Sequence, residues 1–270
     1  MTDRTMPDRA TLLSVAQAAA DAAQSVTLAY FRNGRLDTEN KANTGYDPVT
    51  KADRDAEAAI CEVLKKLRPQ DAILGEEHGH QPGTSGLTWV LDPIDGTRGY
   101  ISGTPTWGTL ISVRDAGGPV FGLIDQPYIG ERFYGGFGLA ELHYRGDVRK
   151  ISVQPAADLS DAILFSTFPE VGTPAEGAAF RTLVPNVRLT RYGMDCYAYA
   201  LLAAGQIDLV VEAGLFAYDI QAPIAVIQAA GGIVTNWQGA PVHDGGRVIA
   251  AASAHLHEQA LAYLSGAPED

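Results

Sequence analysis

The apolar run Trp89-Val90-Leu91 ends in two carboxylates, Asp92 and Asp95, separated only by Pro93-Ile94 and followed by Gly96-Thr97. A short apolar run closed by turn residues reads as a buried strand, and the carboxyl end of such a strand is where open α/β sheets place ligands. Two like charges this close disfavour full ionisation, so the pair either raises one pKa or holds a cation between its members. Taken alone, the same residues also make an ordinary surface turn. The buried strand leading into them favours a site.

The chain has 270 residues, 46% of them hydrophobic and 19% charged, enough for one large domain or two closely packed halves. Its formal net charge of −12 leaves no basic stripe for nucleic acid. A small phosphate ester would also be repelled unless metal ions intervened. No apolar run is long enough to span a bilayer, and the opening MTDRTMPDRATLLSVAQ mixes acids with arginines. These features predict a soluble, cytoplasmic protein without a signal peptide or membrane partner. Cys61 and Cys196 are too few for a disulfide framework and read as small buried hydrophobes.

Helical spacing of alanine and leucine predicts helices over 9–32 and 51–67, the second stopped by Pro69. Short apolar runs at 71–75, 88–92, 108–114, 119–125, 131–137 and about 148–153 predict a largely antiparallel sheet. From about 160 strands and helices alternate. Strands are expected at AILFST, 187–190, IDLVVE, GGIVTNW and RVIAAAS, with helices near 175–184, 195–204, 219–230 and 254–264. The division falls between an α+β half, residues 1–155, carrying the metal and phosphate site, and an α/β half, 156–270, carrying the specificity residues of one catalytic unit.

Other acids can join the turn. Glu76 and Glu77 follow the apolar run Ala72-Ile73-Leu74, so they too sit at a strand's carboxyl end. Asp53 begins a helix, where it serves equally as a first-turn acid or as part of a site. Asp219 opens a strongly apolar helix and by itself reads most simply as an N-cap. Clustered carboxylates without His or Cys select Mg²⁺ or Mn²⁺ rather than zinc. The histidines at 78, 80, 143, 243, 255 and 257 show no ligand spacing and read as surface residues.

With DPVTKAD at 47–53, GEE at 75–77, WVLDPIDGT at 89–97, YDIQAP at 218–223 and Gly231-Gly232, nearly the whole chain resembles the inositol monophosphatase family. The resemblance implies magnesium-dependent, lithium-sensitive phosphatases with the layered αβαβα sandwich shared with fructose-1,6-bisphosphatase, commonly as homodimers. The segments DGTRGYISGTPTWGTLISV and DCYAYALLAAGQIDLVVEAGL look most like its histidinol-phosphate phosphatases. Carried over by position, the resemblance implies two to three magnesium ions. Glu76, Asp92 and the Ile94 carbonyl hold one; Asp92, Asp95 and Asp219 hold a second; a looser third lies near Glu76. Asp95 and the Gly96 and Thr97 amides face the phosphate, Thr97 and Glu76 orient the attacking water, and Asp53 supports Thr97. Asp195 and Glu212 read the leaving group, where two acids suit a cationic imidazole and amine.

Two departures stand out: Tyr218 replaces the usual Trp, and Phe216-Ala217 replaces the Lys-Pro of the histidinol-phosphate enzymes. The expected activity is hydrolysis of a phosphate monoester, L-histidinol phosphate first, with inositol 1-phosphate or another sugar or nucleotide phosphate as the alternative. A metal- or phosphate-binding protein without catalysis would need a lost ligand, and none is lost.

Overall fold

The computed structural model describes residues 9–34, 37–40 and 48–268. Asp47, the first residue of the DPVTKAD motif, lies outside them. The first half comprises α1 (Arg9–Tyr30), β1 (Thr38–Asn40), β2 (Pro48–Thr50), α2 (Lys51–Leu67), β3 (Ala72–Gly75), β4 (Gly79–Gln81) and β5 (Thr88–Asp95). It continues with α3 (Thr97–Ser102), β6 (Gly108–Asp115), β7 (Gly118–Gln126), β8 (Glu131–Gly136), β9 (Leu139–Tyr144) and β10 (Asp147–Lys150). The second half holds β11 (Ile163–Ser166), α4 (Pro174–Leu183), β12 (Leu189–Tyr192), α5 (Asp195–Ala203) and β13 (Leu209–Phe216). The chain closes with α6 (Ala217–Ala229), β14 (Ile233–Thr235), β15 (Gly245–Ala251) and α7 (Ala254–Leu264).

Eight strands form one sheet in the order β10-β9-β8-β7-β6-β5-β3-β4, and five form another in the order β12-β11-β13-β15-β14. The first is antiparallel except where β3 runs parallel to β5. The second pairs β11 in parallel with β12 and β13, while β15 lies antiparallel to β13 and β14.

Three apolar cores bind these sheets into five layers. Leu12, Ala16, Ile60 and Leu64 of α1 and α2 pack on Trp89, Ile111 and Leu123 of the large sheet. On its other face Leu110, Ile124 and Phe133 meet α5 and α6, which also touch Val210 and Ala250 of the small sheet. Phe180 of α4 and Leu256 of α7 cover that sheet's outer face against Leu164, Leu209 and Ile249. The result is the α–β–α–β–α sandwich. Phe133 is core, and Phe137 stacks on Phe121.

Several expectations shift. The strand LAELHY at 139–144 does not stand out in the sequence, because its side chains are mostly half-buried and its pattern is mixed. The strand expected at 148–153 is β10, which ends at Lys150; that at 187–190 is β12, at 189–192. β13 runs on past IDLVVE to Phe216, across an irregularity between Glu212 and Leu215. The surface reading of the histidines holds for His78, His80 and His255 but not for His257, a half-buried ring 2.7 Å from the Thr235 hydroxyl.

Candidate active site

β3 and β5 lie side by side and parallel, with Gly75 opposite Leu91, so the residues leaving both strands emerge at one edge. The Glu76 N–H donates to the Leu91 carbonyl at 3.2 Å, which sets Glu76 beside Asp92. The spacing of Asp92 and Asp95 would send their side chains to opposite faces of a regular strand. β5 is not regular there: Asp92 pairs with Leu110 and Asp95 with Gly108, so three steps on β5 match two on β6. The extra residue is a bulge. Pro93, which has no N–H to give the ladder, lies within it, and its carbonyl accepts from the Thr109 hydroxyl at 2.8 Å.

The bulge turns both acids toward the start of α6. Oxygens of Asp92, Asp95 and Asp219 lie within 4.8 Å of one another. Asp219 is not the N-cap that its place in the sequence suggests. The helix begins two residues earlier, and Asp219, its third residue, accepts the Phe216 N–H at 2.6 Å. The Tyr218 ring stacks on Phe216, with centroids 5.3 Å apart.

Burial pushes the Asp92 carboxyl well above the ordinary carboxylate range, and the charges of Glu76, Asp95 and Asp219 push it further. Asp95 is raised in the same sense by burial, Asp219 and Asp195. The protein's own donors answer little of this charge: the Ile94 N–H to Asp92 at 3.0 Å and the Cys196 N–H to Asp95 at 2.6 Å. An all-oxygen set of mutually repelling carboxylates fits a hard divalent cation.

α3 starts immediately after Asp95. Its cap, Gly96, has φ 84°, and a Cβ there would lie 2.7 Å from Asp195 Cγ, so both conformation and space call for glycine. The Thr97 hydroxyl lies 3.2 Å from both Asp53 Oδ1 and the Ile94 carbonyl and donates to one at a time. Asp53 is also the first-turn acid that its position suggests: its other oxygen accepts the Thr50 N–H at 2.8 Å and the Thr50 hydroxyl at 2.6 Å. The two roles use different oxygens of one carboxylate.

A cavity of about 250 Å³ opens over these residues, and Asp195 and Glu212 line it as well. Asp195 begins α5 in the left-handed region, φ 46°, a conformation Asp tolerates better than most residues. Thr106 donates to its Oδ2 at 3.0 Å. Glu212 is buried and held on both oxygens: the Thr167 N–H, at 2.9 Å, and the Thr167 hydroxyl reach Oε1, and the Tyr199 hydroxyl reaches Oε2 at 2.7 Å. Burial raises both carboxyls, against the lowering effect of these donors and, at Asp195, of the Arg98 charge.

Arg98, Thr106, Thr167, Phe168 and Tyr199 were not singled out from the sequence. Arg98 alone had a signal, its place directly after the DGT motif. Its guanidinium lies 4.7 Å from the centre of the Phe168 ring, joining the two halves across the cavity mouth.

Comparison with known proteins gives this geometry a context. The sequence profile of the inositol monophosphatase family matches residues 8–269. The chloroplastic bifunctional phosphatase IMPL2 of Arabidopsis thaliana is 39% identical over 93% of this chain and 74% of its own length. A histidinol-phosphatase of Streptomyces coelicolor is 35% identical over 96% of this chain and 99% of its own. Among solved structures, an inositol monophosphatase from Zymomonas mobilis superposes with a TM-score of 0.83 at 38% identity, covering 96% of this chain and all of that one.

Proposed function

The chain belongs to the inositol monophosphatase family, and from that premise we propose that it is a magnesium-dependent phosphatase that converts L-histidinol phosphate and water to L-histidinol and phosphate. The observation that carries the reading is the convergence of Glu76, Asp92, Asp95 and Asp219 on one cavity with two further acids, Asp195 and Glu212. The raised carboxyls of Asp92 and Asp95 call for a cation, and the second pair suits a leaving group that brings positive charge.

Glu76, Asp92 and the Ile94 carbonyl would hold one magnesium, Asp92, Asp95 and Asp219 a second, and Glu76 would share a looser third. Magnesium bound there lowers the pKa of a water and neutralises phosphate charge. The Gly96 and Thr97 amides, at a helix start, receive the phosphate oxygens. The Thr97 hydroxyl, donating to Asp53, orients the attacking water together with Glu76; as the new P–O bond forms, the ester P–O bond opposite it breaks, and the proton that the water gives up ends on the departing alcohol oxygen. Asp195 and Glu212 take the amine and the imidazole.

Inositol 1-phosphate is the second reading, because Glu212 is already ringed by neutral hydroxyl donors of the kind that a polyol offers. We further propose lithium sensitivity, a homodimer and a cytoplasmic location. Among the described residues no helix is long and apolar enough to cross a membrane.

Phosphate release from L-histidinol phosphate and inositol 1-phosphate, with magnesium, without it and with added lithium, tests the reading. The expected result is magnesium-dependent release strongly favouring histidinol phosphate. Equal or reversed preference transfers the enzyme to the second reading, and release that ignores magnesium ends both.

A further inference from the structure

Glu57 has no place in the chemistry described so far, yet it is a fully buried carboxylate in the middle of α2. Burying a charge is costly unless hydrogen bonds repay it, so its partners indicate what it is for. They all belong to one turn. Oε2 accepts the Glu77 N–H at 2.9 Å, Oε1 accepts the His78 N–H at 2.9 Å, and Oε1 also lies 3.0 Å from His78 Nδ1.

The turn joins β3 to β4 and carries Glu76 at its start. Gly75, the last residue of β3, is packed so closely on Glu57 that a Cβ there would overlap the carboxylate. Glu76 is therefore held from two sides: its own N–H is tied to Leu91 of β5, and the two following N–H groups are tied to Glu57. A ligand carboxylate on a turn between strands would otherwise sample many positions, and this anchorage fixes the backbone on which it stands.

We propose that Glu57 is a positioning residue for the cation site: by accepting the Glu77 and His78 amides it sets Glu76 at the distance from Asp92 that divalent-cation binding needs. The inference rests on the proposed role of Glu76 as a metal ligand. Residues that orient ligands typically change metal affinity 10–100-fold when altered.

The test is calorimetric titration of Mg²⁺ into metal-free wild type, Glu57→Gln, Glu57→Asp and Glu76→Gln, with melting temperature and amide hydrogen exchange measured on each. The glutamine amide can accept only through its oxygen, so one backbone N–H of the turn loses its acceptor. Glu57→Gln should bind Mg²⁺ about tenfold more weakly, with faster exchange at Glu77 and His78. At saturating magnesium its KM for the phosphate ester should stay within about twofold of wild type. Should Glu57→Gln not fold, Glu57→Asp keeps the charge while shortening the reach, and the same weakening is expected of it. Wild-type Mg²⁺ affinity in a folded Glu57 variant, beside a clear loss in Glu76→Gln, overturns the inference alone. Unchanged affinity in Glu76→Gln removes the metal role of Glu76 and the inference with it.

Discussion

Two groups of acids face the same cavity, and the protein treats them differently. At the carboxyl ends of β3 and β5, Asp92 and Asp95 meet Glu76 and Asp219; the Ile94 N–H reaches Asp92 and the Cys196 N–H reaches Asp95, yet burial and the neighbouring acids still hold both carboxyls high. Across the cavity, Glu212 is held by three donors from Thr167 and Tyr199, and Asp195 accepts from Thr106 and feels the Arg98 charge. The first group is built to need a cation whatever the substrate is. The second is largely satisfied by the protein's own donors and, at Asp195, by the Arg98 charge, so in the proposed function it would adjust preference without deciding whether chemistry occurs.

The largest effect should therefore follow from the first group. Asp92→Asn keeps the shape and the Ile94 N–H contact but removes the charge that both proposed ions share. Turnover should fall at least about 10³-fold, the scale on which preorganised charge stabilisation is lost, while circular dichroism stays that of the wild type. An active Asp92→Asn enzyme would break the comparison at its stronger side.

Next in size is the pH dependence of stability in the metal-free protein. Asp92 and Asp95 titrate above the ordinary value of 3.8 when folded, so over that interval the folded chain binds more protons than the unfolded one. Their contribution is complete below pH 3.8 and is lost as pH rises through the raised values. Metal-free melting temperature should thus fall from these groups as pH rises above the ordinary carboxylate value. Magnesium at one fixed concentration, about 100 times its Kd at the higher of two pH values in this range, should restore about 2.7 kcal/mol there and less at the lower pH, where protons compete for the same carboxylates. Equal stabilisation at both pH values would mean that the cation does not bind the raised carboxyls.

A smaller effect is expected on the other wall. Tyr199→Phe deletes the hydroxyl on Glu212 Oε2 without changing the ring's bulk. A hydrogen bond to a charged group is worth about 1.5–3 kcal/mol, so Glu212 should become harder to ionise and easier to move. The ratio of kcat/KM for histidinol phosphate over inositol 1-phosphate should drop about tenfold, with little change in magnesium affinity. A loss of magnesium affinity instead would show that the two acid groups are not separable.

The sequence foretold the two groups unequally, for a physical reason. The strand into Asp92 and the GEE turn are local signals, an apolar run ending in acids. The parallel pairing that sets Glu76 beside Asp92 and the bulge that turns Asp95 are not local, although Pro93 hints at the second. Asp219 taken by itself reads as a cap because capping preference favours Asp over an aromatic residue, whereas the helix begins at Ala217 and Asp219 is its third residue. The pairing of donors with acids on the second wall leaves no local signal. Thr106 reaches Asp195 across 89 positions and Thr167 reaches Glu212 across 45, and a lone threonine carries no pattern.

The smallest expected effect separates the two acids of the second wall from each other. Glu212 has both oxygens occupied, whereas among the described residues Asp195 accepts from the Thr106 hydroxyl on Oδ2 alone. Thr106→Val removes that donor at nearly constant volume, and Asp195, raised by burial already, should rise further because the bond from Thr106 lowers it. The Arg98 charge remains and limits the change. If Asp195 meets the substrate's positive charge, KM for histidinol phosphate should increase by about threefold, less than 1 kcal/mol. kcat and the kinetics with inositol 1-phosphate should hold. An equal rise in KM for both substrates would mean that Asp195 acts through Gly96 and Gly99, against which it packs, and so on the phosphate that the two esters share.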